Sequence, residues 1–196
     1  MKKLNIVLIV AATAFGLQAC QSNKDSKATA DSLNKANDIT KTDTAKTGMP
    51  ITVDQSDAKF AVVAANGGMA EVMLGKLAQD KGSTSVKDFG AMMVKHHSQA
   101  NDELMTLAKS KNITLPAVVG TDEQKLFDGL NKKNGADFDK AYTKLMIDDH
   151  KTDIKEFEDA AKNLKDPDLK SFASKTLPTL KMHLDAITKV DSTIKK

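Results

Sequence analysis

From Thr52 onward apolar residues recur every three to four positions, and no segment alternates polar and apolar as a half-buried strand would. The first periodic run carries Phe60, Val63, Ala64, Met69, Val72, Leu74 and Leu77. Thr52 or Asp54 can cap its start, and Gly82 ends it. Gly67-Gly68 inside this run costs helix propensity, which close packing against a neighbour would offset. Ser85 with Asp88 resembles a capping box and opens a second helix, with Val86, Phe89, Met93, Ala100, Leu104 and Leu107 on one face. A linker containing Pro116 follows. Thr121 with Gln124 is a second capping box, opening a short helix through Phe127 and Leu130 that Asn134-Gly135 breaks. A third long helix is expected from about Asp137 to Leu164, with the stripe Phe138, Tyr142, Leu145, Met146, Ile154 and Phe157. Asp166-Pro167, a cap followed by proline at the first helical position, starts a fourth through Leu169, Phe172, Leu180, Leu184 and Ile187. Pro178 is expected to kink it. Four long helices and one short one predict an all-α protein, a four-helix bundle with the short helix in a long crossover.

The first fifty residues follow another pattern. Lys2 and Lys3 precede an apolar run, Leu4 to Phe15, too short to span a bilayer as a mature helix. It ends Leu17-Gln18-Ala19-Cys20, which looks like a lipobox. Residues 1–19 therefore read as a lipoprotein signal peptide, and Cys20 as the lipidated first residue of the mature chain. Lipid there anchors the protein to a membrane of the bacterial cell envelope. The chain has one cysteine, so no internal disulfide is available. Residues 21–50 are rich in Lys, Asp, Ser, Thr, Asn and Ala and almost free of large apolar side chains. With Cys20 they read as a disordered tether, 20–50, leaving 51–196 as the bundle domain.

Composition removes one class of partner. All 29 basic residues are Lys, Trp is absent, and the net charge is only +3. Without Arg forks or a basic patch interleaved with aromatics, nucleic acid is not an expected partner.

Four histidines remain, and two are adjacent, His96 and His97. Offsetting the second long helix by 53 residues superimposes it on the third. Phe89 meets Tyr142, Met93 meets Met146, and His97 meets His150. Each His follows a core-facing Met by four, so it lies on the same stripe. His183 follows Leu180 by three. Glu71 is the odd polar residue on the apolar side of the first long helix. Each long helix thus supplies one inward polar group: Glu71, His97, His150 and His183. His96, about 100° from His97, is expected at the stripe's edge or in solvent, contributing little. The four groups reach one level if the second and third long helices run parallel, which is a ferritin-like path with one long crossover. Three imidazoles and a carboxylate suit a transition metal such as Zn, Fe, Cu or Mn. Asp149, Asp153 and Tyr142 are candidates to support such ligands. Affinity is expected to fall as pH drops through about 6.5, where free histidines protonate. Met93, Met146 and Met182 raise a weaker alternative, soft Cu(I) ligation, against the plain role of core filler. No Glu-x-x-His pair occurs, which speaks against a ferritin-type di-iron centre.

The segments "GGMAEVMLGKLA", "VKDFGAMMVKHHSQANDEL", "YTKLMIDDHKTDIKEFE" and "LKSFASKTLPTLKMHLDAI" resemble the ferritin-like domain of unknown function 4142 family of bacterial outer-membrane or periplasmic proteins. The resemblance spans about Asp54 to Val190. It implies a ferritin-like bundle at the outer membrane or in the periplasm and carries over Glu71, His97, His150 and His183 as motif positions. Position 96, usually acidic in that pattern, is His here. Three functions follow as expectations: a lipid-anchored metal-binding protein for storage, buffering or stress protection; a structural or interaction protein whose histidines form a polar layer; and a metal-dependent enzyme. No nucleophile motif, phosphate loop or dinucleotide fingerprint assigns the chain to a catalytic class, and no catalytic residue is assigned.

Overall fold

The computed structural model describes residues 25–38 and 52–195. The expected signal peptide, Cys20 and the remainder of the expected tether lie outside them. Among the described residues all extended elements are helices: α1 (Ser26–Ala36), α2 (Gln55–Lys81), α3 (Thr84–Ser110), α4 (Thr121–Asn131), α5 (Gly135–Asn163) and α6 (Pro167–Ile194). The all-α bundle expected from the periodicity is therefore present.

Two apolar clusters fix the path of the chain. One joins Ala58 and Ala61 at the start of α2 to Leu104 and Ala108 near the end of α3, Phe157 in α5 and Leu169 in α6. The other joins Leu77 near the end of α2 to Val86 in α3, Phe138 at the start of α5 and Ile187 in α6. Hence α2–α3 and α5–α6 are antiparallel hairpins, while α3 and α5 run parallel. The link between them, carrying α4, must travel the length of the bundle, as in ferritin-like folds.

Close approach within the α2–α3 hairpin rests on glycine. A Cβ on Gly90 would stand 2.6 Å from the Gly75 carbonyl oxygen and 2.9 Å from Ala78 Cβ. Gly68 meets the packing expectation, since a Cβ there would collide with the Asn101 side chain. Gly67 does not, because a Cβ there would meet nothing within 4 Å.

The helix ends were only partly foreseen. Asp166 caps α6 as expected, with Oδ1 accepting from the backbone N–H of Asp168 at 3.1 Å and Leu169 at 3.0 Å. α6 then continues through Pro178. Neither capping box forms. α3 starts at Thr84, with Ser83 at its cap, and the Ser83 N–H donates to Asp139 Oδ1 from α5. α4 starts at Thr121 itself, whose N–H donates to Asp25 Oδ2. In both cases a carboxylate from another element satisfies the exposed N–H. α5 begins at Gly135, earlier than the expected Asp137, because a φ of 52° there is open to glycine.

The larger correction is α1, which lies inside the segment expected to be a disordered tether. Its docking is mostly polar. Asn34 Nδ2 donates to the Thr114 carbonyl at 2.9 Å, and the Thr114 N–H donates back to Asn34 Oδ1 at 2.7 Å. Ser26 Oγ accepts from the Ala117 N–H, and Asp25 caps both α1 and α4. Apolar content under-reports a segment held this way, because side chain-to-backbone bonds leave no hydrophobic period.

Candidate metal centre

The histidine layer lies between the two apolar clusters, one residue from each of three long helices. His97 on α3, His150 on α5 and His183 on α6 are all buried. His183 Nδ1 lies 3.2 Å from His97 Nε2 and 3.3 Å from His150 Nε2. One nitrogen from each ring comes within 4.8 Å of the other two. Phe89 packs edge-on against His150 and His183, closing one side with an apolar wall.

The outer nitrogens constrain the inner ones. His150 Nδ1 is 3.0 Å from the Met146 carbonyl, so it carries the proton and donates it. Its Nε2 therefore presents a lone pair. His97 Nδ1 is 2.7 Å from Glu71 Oε2. A Glu71 carboxylate accepting that N–H would leave His97 Nε2 bare as well. His183 can complete the set in two ways. With its proton on Nδ1 it shares one long bond between the other two rings. With its proton on Nε2 all three inner nitrogens are lone pairs facing one point. Tetrahedral ligands about 2.0–2.1 Å from a metal stand about 3.3 Å apart. The two measured separations match that spacing, and both are long for an N–H···N bond.

Glu71 is buried, and its Oε1 has no hydrogen-bond partner, lying 3.5 Å from His150 Nε2. Asp149 converges with Glu71 and His150 to within 4.8 Å. The sequence placed Glu71 on a par with the three histidines. The structure sets it beside the triad, bound to the back of His97 and close to His150. An orphaned carboxylate oxygen and bare imidazole nitrogens form a donor set suited to a cation.

Burial shapes the protonation. It pulls His97 and His150 down to about 4 and His183 to about 2, so all three imidazoles are neutral. It pushes Glu71 and Asp153 well above the carboxylate range and Asp149 up to about 6, with neighbouring carboxylates adding to all three. The Glu71–His97 contact has an ion-pair distance, yet burial disfavours charge on both groups. Without a cation the pair is a shared proton rather than two charges. A cation at His97 Nε2 would favour the carboxylate form, with the proton held on Nδ1.

The remaining predicted residues divide. Asp153 hydrogen-bonds the Glu71 carboxyl, with one of the two acids protonated, and the charge of Glu71 helps to raise Asp153. Tyr142 is buried among Phe89 and Phe138, and its hydroxyl has no partner. Burial and the Glu71 charge raise its pKa. Met182, part of the Cu(I) alternative, is 43 % exposed. His96, expected to contribute little, was underestimated. It is half-buried, its Nδ1 is 2.9 Å from His183 Nε2, and the two ring planes lie within 8° of each other with centroids 5.2 Å apart, the geometry of an edge-to-edge hydrogen bond between nearly coplanar rings. The phase of α3 alone puts His96 at the edge, but α6 passes along that edge.

The model of a family described as a domain of unknown function, DUF4142, matches residues 42–190. The chain belongs to the DUF4142 family. That match covers all four long helices of the bundle and leaves α1 outside it. No curated protein matches, and no solved structure matches.

Proposed function

We propose that this DUF4142 protein is a lipid-anchored component of the bacterial cell envelope that binds one transition-metal ion inside its bundle, for storage, buffering or stress protection. His97, His150 and His183 are the ligands. Glu71 orients His97 and offers its free oxygen to the ion or to a bound water. The observation that carries this reading is the convergence of three inner imidazole nitrogens, two of their separations at metal-ligand spacing, beside the buried Glu71 carboxyl. The anchor rests on the lipobox-like Leu17 to Cys20.

Metal analysis of tag-free protein tests the centre. About one equivalent of Zn, Fe, Cu or Mn is expected, and a metal present at a hundredfold its Kd adds about 2.7 kcal/mol of stability. In a domain of this size that raises Tm by about 5–10 °C. Cys20→Ser is expected to move the protein from the membrane pellet to the soluble envelope fraction, and retention after a salt wash would contradict the anchor.

The polar-layer reading also has support. His183 Nδ1–H shared between His97 and His150, with the His96 Nδ1–H donating to His183 Nε2, is a self-consistent hydrogen-bond set. In it a proton shared between the Glu71 and Asp153 carboxyls takes the place that the ion would take in the metal reading. Absence of stoichiometric metal, with no shift in Tm, would favour the polar layer.

A further inference from the structure

A cavity of about 30 Å³ lies among α2, α3, α5 and α6, lined by Glu71, His97, Asn101, Asp153 and Glu156 and by Thr176 of α6. It adjoins a surface groove of about 460 Å³ on α2 and α5, and Val63 and Glu156 line both. The outer groove is mixed in charge, with Lys59 and Lys155 beside Glu156 and Asp159. The charged side chains of the inner cavity, apart from the imidazole of His97, are all carboxylates.

Two further observations bear on the cavity. Glu71 is 3 % exposed, and its unpartnered Oε1 belongs to a side chain that lines the cavity. Gly67 lines it too, in mid-helix, where glycine is disfavoured and no neighbour needs the space. Packing does not account for that glycine; an unobstructed cavity does.

We infer that this cavity is the route by which a divalent cation reaches the histidines, with Glu156, which lines both the groove and the cavity, attracting it, Asp153 offering an oxygen within, and Glu71 passing it to His97 and His150. This rests on the metal centre proposed above. The space holds about one or two waters, too few for a full hydration shell. The ion must therefore exchange water for carboxylate oxygen on the way in, which a row of acids permits and an apolar passage would not.

The test is the rate of Co(II) loading into the full chain, followed by rapid mixing through the visible absorption of the bound ion. Removing one carboxylate charge near a divalent ion should slow entry by about threefold to tenfold at low ionic strength, less at high salt. Glu156→Gln should show that slowing and reach the wild-type endpoint. Gly67→Leu should slow loading at any salt concentration, again to the same endpoint, with circular dichroism verifying the helix. Wild-type rates in both variants would overturn the route while leaving the metal centre standing. A lowered endpoint in Glu156→Gln would make that residue a ligand and also overturn the route. No cobalt spectrum in the wild type would overturn the centre and the route together.

Discussion

Replacing His96 with alanine probes the centre through a residue that need not touch the metal. For His183 to offer its Nδ1 lone pair inward, its single proton must sit on Nε2. His96 Nδ1, 2.9 Å away, is the acceptor that holds it there, and this in-plane bond also fixes the orientation of the His183 ring. His96→Ala removes both restraints and leaves the His183 tautomer free to swing toward Nδ1–H, which blocks the metal. Loss of such a supporting partner typically costs about 10–100-fold in metal affinity, or about 1.4–2.7 kcal/mol. His97→Ala deletes a ligand and strips Glu71 of its partner, so its loss should be larger. Zinc competition against a chromophoric chelator, on tag-free protein, measures both. His96→Asn is the informative companion. Its Oδ1 occupies nearly the position of His Nδ1 and can accept the same N–H, so it should recover most of the affinity. An alanine variant as tight as wild type would refute the tautomer argument. An asparagine variant as weak as alanine would show that the imidazole itself is required.

Two further outcomes follow from burial and packing. Metal affinity should climb steadily from pH 5 to 8 without a step at 6.5, because the three buried imidazoles, held at about 4 or lower, are already neutral at pH 5. The competing protons sit instead on Glu71, whose pKa is raised, and on Asp149 at about 6, so falling pH loads the carboxylates first. Zinc titrations at fixed pH check this, and in Asp149→Asn, which lacks the carboxyl at about 6, a remaining step near 6.5 would mean that the histidines are solvated. Gly90→Ala should lower the urea midpoint by the equivalent of about 1–3 kcal/mol, because its Cβ would press on backbone that has no flexible end to move. Gly67→Ala, in open space, should gain about 0.5–1 kcal/mol instead.

The centre was legible in the sequence for a geometric reason. The repeat of aromatic, Met and His at an offset of 53 residues gives equal heights only if α3 and α5 run parallel, and they do. The Met-to-His spacing of four then fixes the direction in which His97 and His150 point. Helical phase says which way a side chain leaves its own axis, but not which neighbour passes there. That is why His96 was misjudged, and why Glu71 was placed among the ligands rather than behind His97. The two capping boxes failed for a related reason. Local sequence cannot register Asp139 or Asp25 arriving from elsewhere to satisfy the same N–H groups.

The site and the crossover depend on each other. Two antiparallel hairpins could pack with α5 one turn higher or lower and still bury an apolar stripe. A slip of one turn is about 5.4 Å, which would remove His150 from nitrogens 3.2–3.3 Å apart. The link from α3 to α5 must therefore be held at both ends, and polar ties do so. At its start, buried Lys111 bonds Asp166 and Asp168 at the head of α6, each at 2.8 Å. Asn34 of α1 grips Thr114 from both sides, and Asn66 of α2 accepts from the Gly120 N–H at 2.7 Å. At its end, Lys81 of α2 bonds the Asn131 carbonyl. Apolar packing makes the bundle, but these polar contacts select the register in which the three imidazoles meet. On this argument α1, outside the family match, belongs to the machinery that keeps the centre level.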